Sequence, residues 1–425
     1  MQKIVKNPKC ALKGSITIPS DKSVSHRAVI LCSLAEGKSV IKNFSNGQDP
    51  KSSLKICQEL GVNCEFENNN LVINSRGILS KPQKELNCGN SGTTMRFMCG
   101  ILAAQNFTST LTGDESLSKR PMKRIIEPLT LMGADISSVD NKAPLVIKGR
   151  ELHSINYKSQ LASAQVKSCI LLAGMHCSGT TTFEEPYISR NHTELMLKYM
   201  GCNIQMQNNA VKIQKSKLNP ITIEIPGDIS SAAFFIAAAL IIPNSDIIIK
   251  NTGINPTRTG ILDIAKKMGA DIEILDERTV SNELVADLRV RYCDLKACTI
   301  EGEIIPKLID ELPVIAVLAT QCKGQTIIKD AQDLRNKETD RIKAVVTELK
   351  KLGADIEETQ DGFIINGKTE LIGGCSVNTY HDHRLAMSLY VAGMICNQPI
   401  GIDGFEWVDI SFPEFEKLIC DLQQK

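Results

Sequence analysis

The sequence predicts an α/β fold of two globular halves, each containing three copies of one unit of about 70 residues. The prediction rests on a short motif that recurs five times, on a polar cluster that recurs six times, and on the unbroken alternation of the two along the chain.

The first motif reads apolar, Gly, small, Asp or Asn, apolar. Its copies are Leu60-Gly61-Val62-Asn63-Cys64, Met132-Gly133-Ala134-Asp135-Ile136, Met200-Gly201-Cys202-Asn203-Ile204, Met268-Gly269-Ala270-Asp271-Ile272 and Leu352-Gly353-Ala354-Asp355-Ile356, with glycines 72, 68, 68 and 84 residues apart. Each copy ends an amphipathic stretch such as RIKAVVTELKKL and precedes a strand-like run such as Ile272-Glu273-Ile274-Leu275. The glycine therefore caps a helix C-terminus in the left-handed region, where a Cβ is penalised. FPEFEKLICDLQ reads as a sixth such helix with no strand after it.

The second pattern is a polar cluster running directly into an apolar helix. The clusters are Asp21-Lys22-Ser23, Asn90-Ser91-Gly92-Thr93-Thr94, Ser163-Ala164-Gln165, Gly227-Asp228-Ile229-Ser230, Asp310-Glu311-Leu312-Pro313 and His381-Asp382-His383-Arg384. The stretches that follow, such as SAAFFIAAALII, are apolar on nearly every side, which places these helices inside each half and the amphipathic ones outside. Six units split three and three, with crossovers expected near Pro19-Ser20 and Pro226-Gly227.

Composition excludes several functions. Lys and Arg total 49 against 48 Asp and Glu, a net charge of +1, which argues against a general nucleic-acid binder. Aromatics at 4% are too few for single-strand stacking platforms. The fifteen cysteines form no CxxC and many sit in apolar runs, so they read as buried free thiols in a reducing cytoplasm. The N-terminal residues lack a signal-peptide core, and the longest apolar run, Ala232 to Ile242, falls short of the roughly 20 residues that span a bilayer. A cytoplasmic protein without membrane partners is expected.

The chemistry lies at the starts of the inner helices. A helix N-terminus presents unpaired N–H groups and partial positive charge, a ready anion site. Asp21, Ser163, Asp228 and Asp310 are favoured N-cap types, and capping alone accounts for any one of them. The cations add more. Lys22, Arg27, Arg120, Lys123, Arg124, Arg190, Arg335, Lys337, Arg341 and Arg384 lie in or beside the clusters and polar loops. Arg27 and Arg384 stand in sequence headed for the core, where an unpaired charge is costly, so they need anionic partners. Two unit charges 4 Å apart attract by about 4 kcal/mol at an effective dielectric of 20. Several such pairs would hold a substrate bearing phosphate and carboxylate groups, which Arg binds bidentately. Asp310, Glu311 and Glu338 are the candidate acids and bases. In KETDR, Lys337 and Arg341 are four apart, which would place them on one helix face. His381-Asp382-His383 lacks companion ligands for a metal, GNSGTT is neither GxGxxG nor a Walker loop, and no cysteine carries the basic flank of a nucleophile.

The chain resembles the 5-enolpyruvylshikimate-3-phosphate synthases, a family of enolpyruvyl transferases, over nearly its whole length. The resemblance rests on PSDKSVSHRAVIL, GNSGTTMRF, SKRPMKRIIEPL, SAQVKS, IPGDISSAA, IDELP, KETDR, HDHRLAM and SFPEF, in family order. It implies a two-domain inside-out α/β barrel, each half of three βαβαββ units around buried helices, with residues 21–227 in one half and 1–20 plus 228–425 in the other. It implies transfer of the enolpyruvyl group of phosphoenolpyruvate to the 5-hydroxyl of shikimate 3-phosphate, with loss of phosphate and no cofactor or metal, by a monomer. Carried over by motif, Ser23, Arg27, Ser163 and Gln165 would hold the shikimate phosphate, with Arg190 assisting as in the family's second class. Lys22 would touch both substrates. Asn90 belongs to the substrate-binding set, and Gly92, Arg120, Gln165, Arg341 and Arg384 would hold phosphoenolpyruvate. Asp310 would accept the hydroxyl proton, Glu338 would donate or shuttle a proton, and Lys337 would bind substrate. Ligands drawn from both halves imply that binding draws the halves together.

Two positions depart from the best-known bacterial members. Ala164 stands where they carry a second serine before the glutamine, and Ile410 falls where they carry a lysine ahead of the terminal Phe-Pro pair. SAQVKS and SRNHTE resemble the second class, whereas Gly92 keeps the glycine of the glyphosate-sensitive pattern. The alternative within the fold is a UDP-N-acetylglucosamine enolpyruvyl transferase. That family expects Lys-Asn in the first cluster and a reactive cysteine in the loop reading TGDESLSKRPMKR; here stand Lys22-Ser23 and no cysteine. A non-catalytic anion binder of the same fold would lose Asp310 and Glu338, which are present.

Overall fold

The computed structural model describes residues Gln2 to Gln423. The chain divides into two compact units. One, here the inserted unit, holds Ser20–Ile225 and Val280–Glu283; the terminal unit holds Met1–Pro19, Pro226–Thr279 and Leu284–Lys425.

The inserted unit carries three four-stranded sheets of one pattern. Strand Leu86–Asn87 pairs parallel with Thr108–Thr112, which pairs antiparallel with Lys142–Lys148 and through it with Asp135–Val139. Helix Gly92–Ala103 makes the crossover between the parallel strands, and helix Lys123–Leu131 precedes the hairpin, so the unit reads βαβαββ. Asn156–Lys158, Thr180–Glu184, Ala210–Gln214 and Ile204–Gln207 repeat this order. In the third sheet, Thr222–Glu224 comes from the far end of the segment to pair parallel with Glu36–Lys42.

The terminal unit has two such four-stranded sheets and one of three strands. In the latter, Ser376–Asn378 runs parallel to Ile400–Asp403, and the N-terminal strand Gln2–Val5 pairs antiparallel on the other side. The sixth amphipathic helix is Phe415–Gln423, and among the described residues no strand follows it. The start of the chain fills that place in the sheet.

The inner helices are buried on all sides, as their composition requires. All nine residues of Leu312–Thr320, all eleven of His383–Gly393 and twelve of thirteen in Ile229–Ile241 are buried, and these three helices pack on one another. In the inserted unit the corresponding helices are Lys22–Leu34, Gly92–Ala103 and Ala164–Gly174. Gly100 lets two of them touch, since a Cβ there would lie 2.3 Å from the Cys169 carbonyl oxygen. The outer helices bury one stripe each, as in Gly260–Lys267, where Gly260, Ile261, Ile264 and Ala265 face inward.

The five repeated glycines all have positive φ, between 83° and 97°. Each closes a Schellman motif: Gly61 N–H donates to Gln58 O and Val62 N–H to Cys57 O, and the same pair of bonds recurs at Gly133, Gly201, Gly269 and Gly353. The SFPEF motif anchors the last helix, with Phe412 and Phe415 fully buried against Phe234, Phe235 and Tyr390. All fifteen cysteines are free and ten are buried, and burial pushes thiols such as Cys32 and Cys99 up to about 12. Among the described residues, no helix is long and apolar enough to cross a membrane.

Candidate active site

In the terminal unit the polar clusters meet around Asp310. Its Oδ1 accepts from Lys337 Nζ at 3.1 Å and Arg341 Nη1 at 3.4 Å, while its carbonyl accepts from Arg384 Nη1 at 3.4 Å. Arg341 is 1% exposed and is gripped by Asp382 through Nε at 2.6 Å and Nη2 at 3.2 Å; its Nη2 also donates to Glu338 at 2.7 Å. Burial disfavours the guanidinium charge, but Asp382, Glu338 and Asp310 outweigh it and hold Arg341 above its ordinary value. Five sequence-predicted residues, Asp310, Lys337, Glu338, Arg341 and Arg384, thus form one cluster.

Two local expectations are corrected. Asp310 is not the cap of the fifth inner helix. Glu311 occupies that position without a side-chain cap bond, which leaves the Asp310 carboxylate to the cations. Nor is KETDR helical. Asp340 caps the helix that begins at Arg341, with Oδ1 accepting from Lys343 N–H at 3.1 Å, so Lys337 lies in an extended turn. Lys337 and Arg341 meet through Asp310, not along a helix face.

Beneath this cluster lies a second layer. Arg258, 2% exposed, donates Nη2 to Asp228 Oδ1 and Ser230 Oγ, both at 2.9 Å. Burial opposes ionisation of Asp228, yet Arg258 and Arg384 outweigh it and bring its pKa down to about 2. Ser230 Oγ also donates to Glu311, whose other oxygen lies buried. Glu311 Oε1 is 3.9 Å from Arg384 Nη1, so Arg384 has the anionic neighbour that its sequence context demands.

The inserted unit gathers the remaining predicted residues along its inner-helix N-termini. Asn90 accepts from Arg120 Nη2 at 2.8 Å and donates to Asp114 at 2.7 Å. Gly92 opens its helix directly beneath two guanidiniums: a Cβ there would stand 2.7 Å from Arg96 Nη1 and 3.6 Å from Arg120 Nη1. Arg96 Nη1 donates to Gln165 Oε1, and Gln165 Nε2 donates to Thr93 Oγ1 at 2.8 Å. Ser163 caps the next helix, its Oγ accepting from Val166 N–H. Lys22 pairs with Asp49 at 3.1 Å. Arg27, 4% exposed, donates to Thr193 Oγ1 at 2.6 Å, Ser168 Oγ at 3.2 Å and the Ser23 carbonyl at 2.9 Å, with its guanidinium 4.8 Å from the Phe97 ring centroid. Two hydroxyls, a carbonyl oxygen and an aromatic face thus surround Arg27. Arg190 is half-buried in the turn before helix His192–Tyr199.

Residues 6–419 match the model of the family described as EPSP synthase (3-phosphoshikimate 1-carboxyvinyltransferase). The chain belongs to the EPSP synthase family. It is 48% identical over 423 residues to a 3-phosphoshikimate 1-carboxyvinyltransferase from Bacillus licheniformis and 50% identical over 424 residues to one from Petrotoga mobilis, covering 98% of each chain in both cases. Among solved structures, EPSP synthase from Acinetobacter baumannii is 40% identical with a TM-score of 0.89, over 99% of this chain and 98% of that one. The enolpyruvyl transferase NikO from Streptomyces tendae, at 15% identity, has a TM-score of 0.81 over 99% of this chain and 97% of that one, and shows the shared fold alone.

Several buried charged residues of this EPSP synthase family member, beside the candidate site, escaped the sequence reading. Arg96, Lys167 and Arg258 are charges inside apolar or buried stretches, the same signal that singled out Arg27. Asp382 stands in the sixth polar cluster and in a metal-like triplet, and the sequence assigns it no role of its own. Its carboxylate instead caps helix His383–Gly393 and grips Arg341. Among the described residues, no group of His, Cys, Asp and Glu is arranged to hold a metal ion.

Proposed function

We propose that Asp310 and Glu338 perform the proton transfers by which this chain joins phosphoenolpyruvate to shikimate 3-phosphate. The 5-hydroxyl oxygen bonds to C2 of the enolpyruvyl group while its proton passes to Asp310, and C3 takes a proton from Glu338. The tetrahedral intermediate then expels phosphate, which takes up the proton held by Asp310, and C3 gives its proton back to Glu338, which restores the double bond. The observation that carries this reading is the Asp310 carboxylate, 14% exposed and flanked by the Lys337 ammonium and the Arg341 guanidinium. A partly open carboxylate within reach of a bound hydroxyl can take its proton, and the flanking cations hold that carboxylate in place.

Both substrates are multiply anionic. Lys22, Arg27, Arg120, Lys337, Arg341 and Arg384 offset their mutual repulsion, and helix N-termini such as those capped by Asp21, Ser91 and Ser163 add partial positive charge. In this assignment Ser23, Arg27, Ser163, Gln165 and Arg190 take the shikimate phosphate. Gly92, Arg120, Gln165, Arg341 and Arg384 take phosphoenolpyruvate, Asn90 steadies Arg120, and Lys22 contacts both substrates. UDP-N-acetylglucosamine as acceptor is not favoured, since the matching family and the relatives carry the 3-phosphoshikimate name.

The test is phosphate release from phosphoenolpyruvate with shikimate 3-phosphate or UDP-N-acetylglucosamine as acceptor. Release with the first alone supports the reading, and release with the second alone ends it. Because the ligand set is divided between two segments of chain, substrate binding is expected to compact the molecule. Small-angle scattering should show a smaller radius when shikimate 3-phosphate saturates it. The protein is proposed to act as a monomer in the reducing cytoplasm that its free cysteines suit.

A further inference from the structure

Helix Ala164–Gly174 carries one charged side chain, Lys167, and it is 1% exposed. Its Nζ lies 2.7 Å from Glu185 Oε1, 2.8 Å from Glu194 Oε1 and 3.0 Å from the Ser189 carbonyl oxygen. Both carboxylates are as deeply buried as the ammonium. Burial works against the ammonium charge, and Glu194 and Glu185 outweigh it, so Lys167 stays above its ordinary value. Buried ions are expensive, and well-packed apolar side chains often serve stability as well or better. The cluster is moreover unbalanced: one cation faces two anions, and Glu194 Oε2 has no hydrogen-bond partner among the described residues. Stability alone does not account for it.

What the cluster does secure is the geometry of its neighbours. Ser189 is held at three points: its N–H and Oγ donate to Glu185 at 2.9 and 2.7 Å, and its carbonyl accepts from Lys167. The next residue is Arg190. At the other end, Glu194 follows Thr193, whose Oγ1 accepts from Arg27 Nε at 2.6 Å and bonds to Ser168 Oγ at 2.6 Å. Ser168 in turn is the residue after Lys167. One ammonium therefore pins segment 185–194 to the inner helix at two points, and the arginines assigned to the shikimate phosphate stand beside those points.

We infer that Lys167, with Glu185 and Glu194, is a positioning device that fixes Arg27 and Arg190 for the phosphate of shikimate 3-phosphate without touching the substrate. The inference rests on the enolpyruvyl-transfer reading above. Holding two flexible guanidiniums in place before the ligand arrives removes ordering cost from binding.

The test compares Lys167→Met and Glu185→Gln with the unsubstituted protein. It uses steady-state kinetics for each substrate, calorimetric binding of shikimate 3-phosphate and of shikimate, and denaturation midpoints. Lys167→Met is expected to raise KM for shikimate 3-phosphate about tenfold and leave KM for phosphoenolpyruvate within about twofold. Binding of shikimate, which lacks the phosphate, should not change. Glu185→Gln keeps the volume and leaves Lys167 and Glu194 as a balanced pair, so it is the milder variant and serves where the first does not fold. Its expected shift is about threefold in the same direction. A lowered midpoint with unmoved KM for shikimate 3-phosphate, or equal weakening of both ligands, overturns the inference. If the unsubstituted protein releases no phosphate with shikimate 3-phosphate, the reading beneath the inference fails and takes it along.

Discussion

Gly100→Ala sets two effects on one residue against each other. Gly100 lies within helix Gly92–Ala103, where alanine is favoured over glycine by about 1 kcal/mol. Propensity alone would therefore make the variant more stable. The packing opposes it. The new Cβ would stand 2.3 Å from the Cys169 carbonyl oxygen and 3.1 Å from its carbon, both backbone atoms of helix Ala164–Gly174. An ordinary carbon–oxygen contact needs about 3.3 Å, so the two helices must part by about 1 Å. Overpacking of this kind costs about 1–3 kcal/mol, and a clash with backbone belongs at the upper end. After the propensity gain, a net loss of about 1–2 kcal/mol remains. For a unit of this size that lowers the thermal midpoint by about 2–8 °C. Gly92→Ala on the same helix is the control. Its Cβ meets the end of the flexible Arg96 side chain at 2.7 Å, which can move aside, so stability should change little. Phosphoenolpyruvate binding should weaken instead, because the new methyl displaces the Arg96 guanidinium and stands 3.6 Å from Arg120 Nη1. Urea and thermal denaturation of the two variants decide the matter. A Gly100→Ala protein as stable as the unsubstituted one, or more so, would refute the reasoning.

Two further outcomes are expected. Asp310→Ala should cut phosphate release by about 10²–10⁴-fold while calorimetry still detects shikimate 3-phosphate binding, and near-normal turnover would remove Asp310 from the chemistry. His26 is buried against Ser53, and burial, outweighing the nearby Asp49, lowers its pKa to about 3 from an ordinary 6.5; Lys22 and Arg27 push the same way. The unfolded chain takes up this proton near 6.5 and the folded one does not, so its contribution is complete above pH 6.5. It is lost at about 1.4 kcal/mol per unit as pH falls towards about 3. His26→Gln should flatten that part of the stability profile in urea titrations at pH 7 and 5, and an unchanged difference between the two pH values would count against a neutral buried imidazole.

Local and periodic features were legible in the sequence because they arise from short-range physics. The five glycines end helices wherever the chain carries them, since the Schellman cap depends on a few neighbouring residues. An apolar stretch such as Ile229–Ile241 has no polar face to offer water, so its burial follows from composition. Arg384 reads as a site residue for the same reason, because a charge inside a buried helix needs a partner. The identity of the partners is a different matter. That Asp310 serves Lys337 and Arg341, and does not cap its own helix, depends on residues 27 and 31 positions away. That Gln2–Val5 completes the sheet at Ile400–Asp403, and that Lys167 joins Glu185 to Glu194, likewise depends on how distant elements pack. Sequence alone marked where charge and curvature must occur along the chain. Only the folded packing of helices and sheets settled which charges neutralise one another, because Coulomb and hydrogen-bond energies depend on separation in space and not on separation in number.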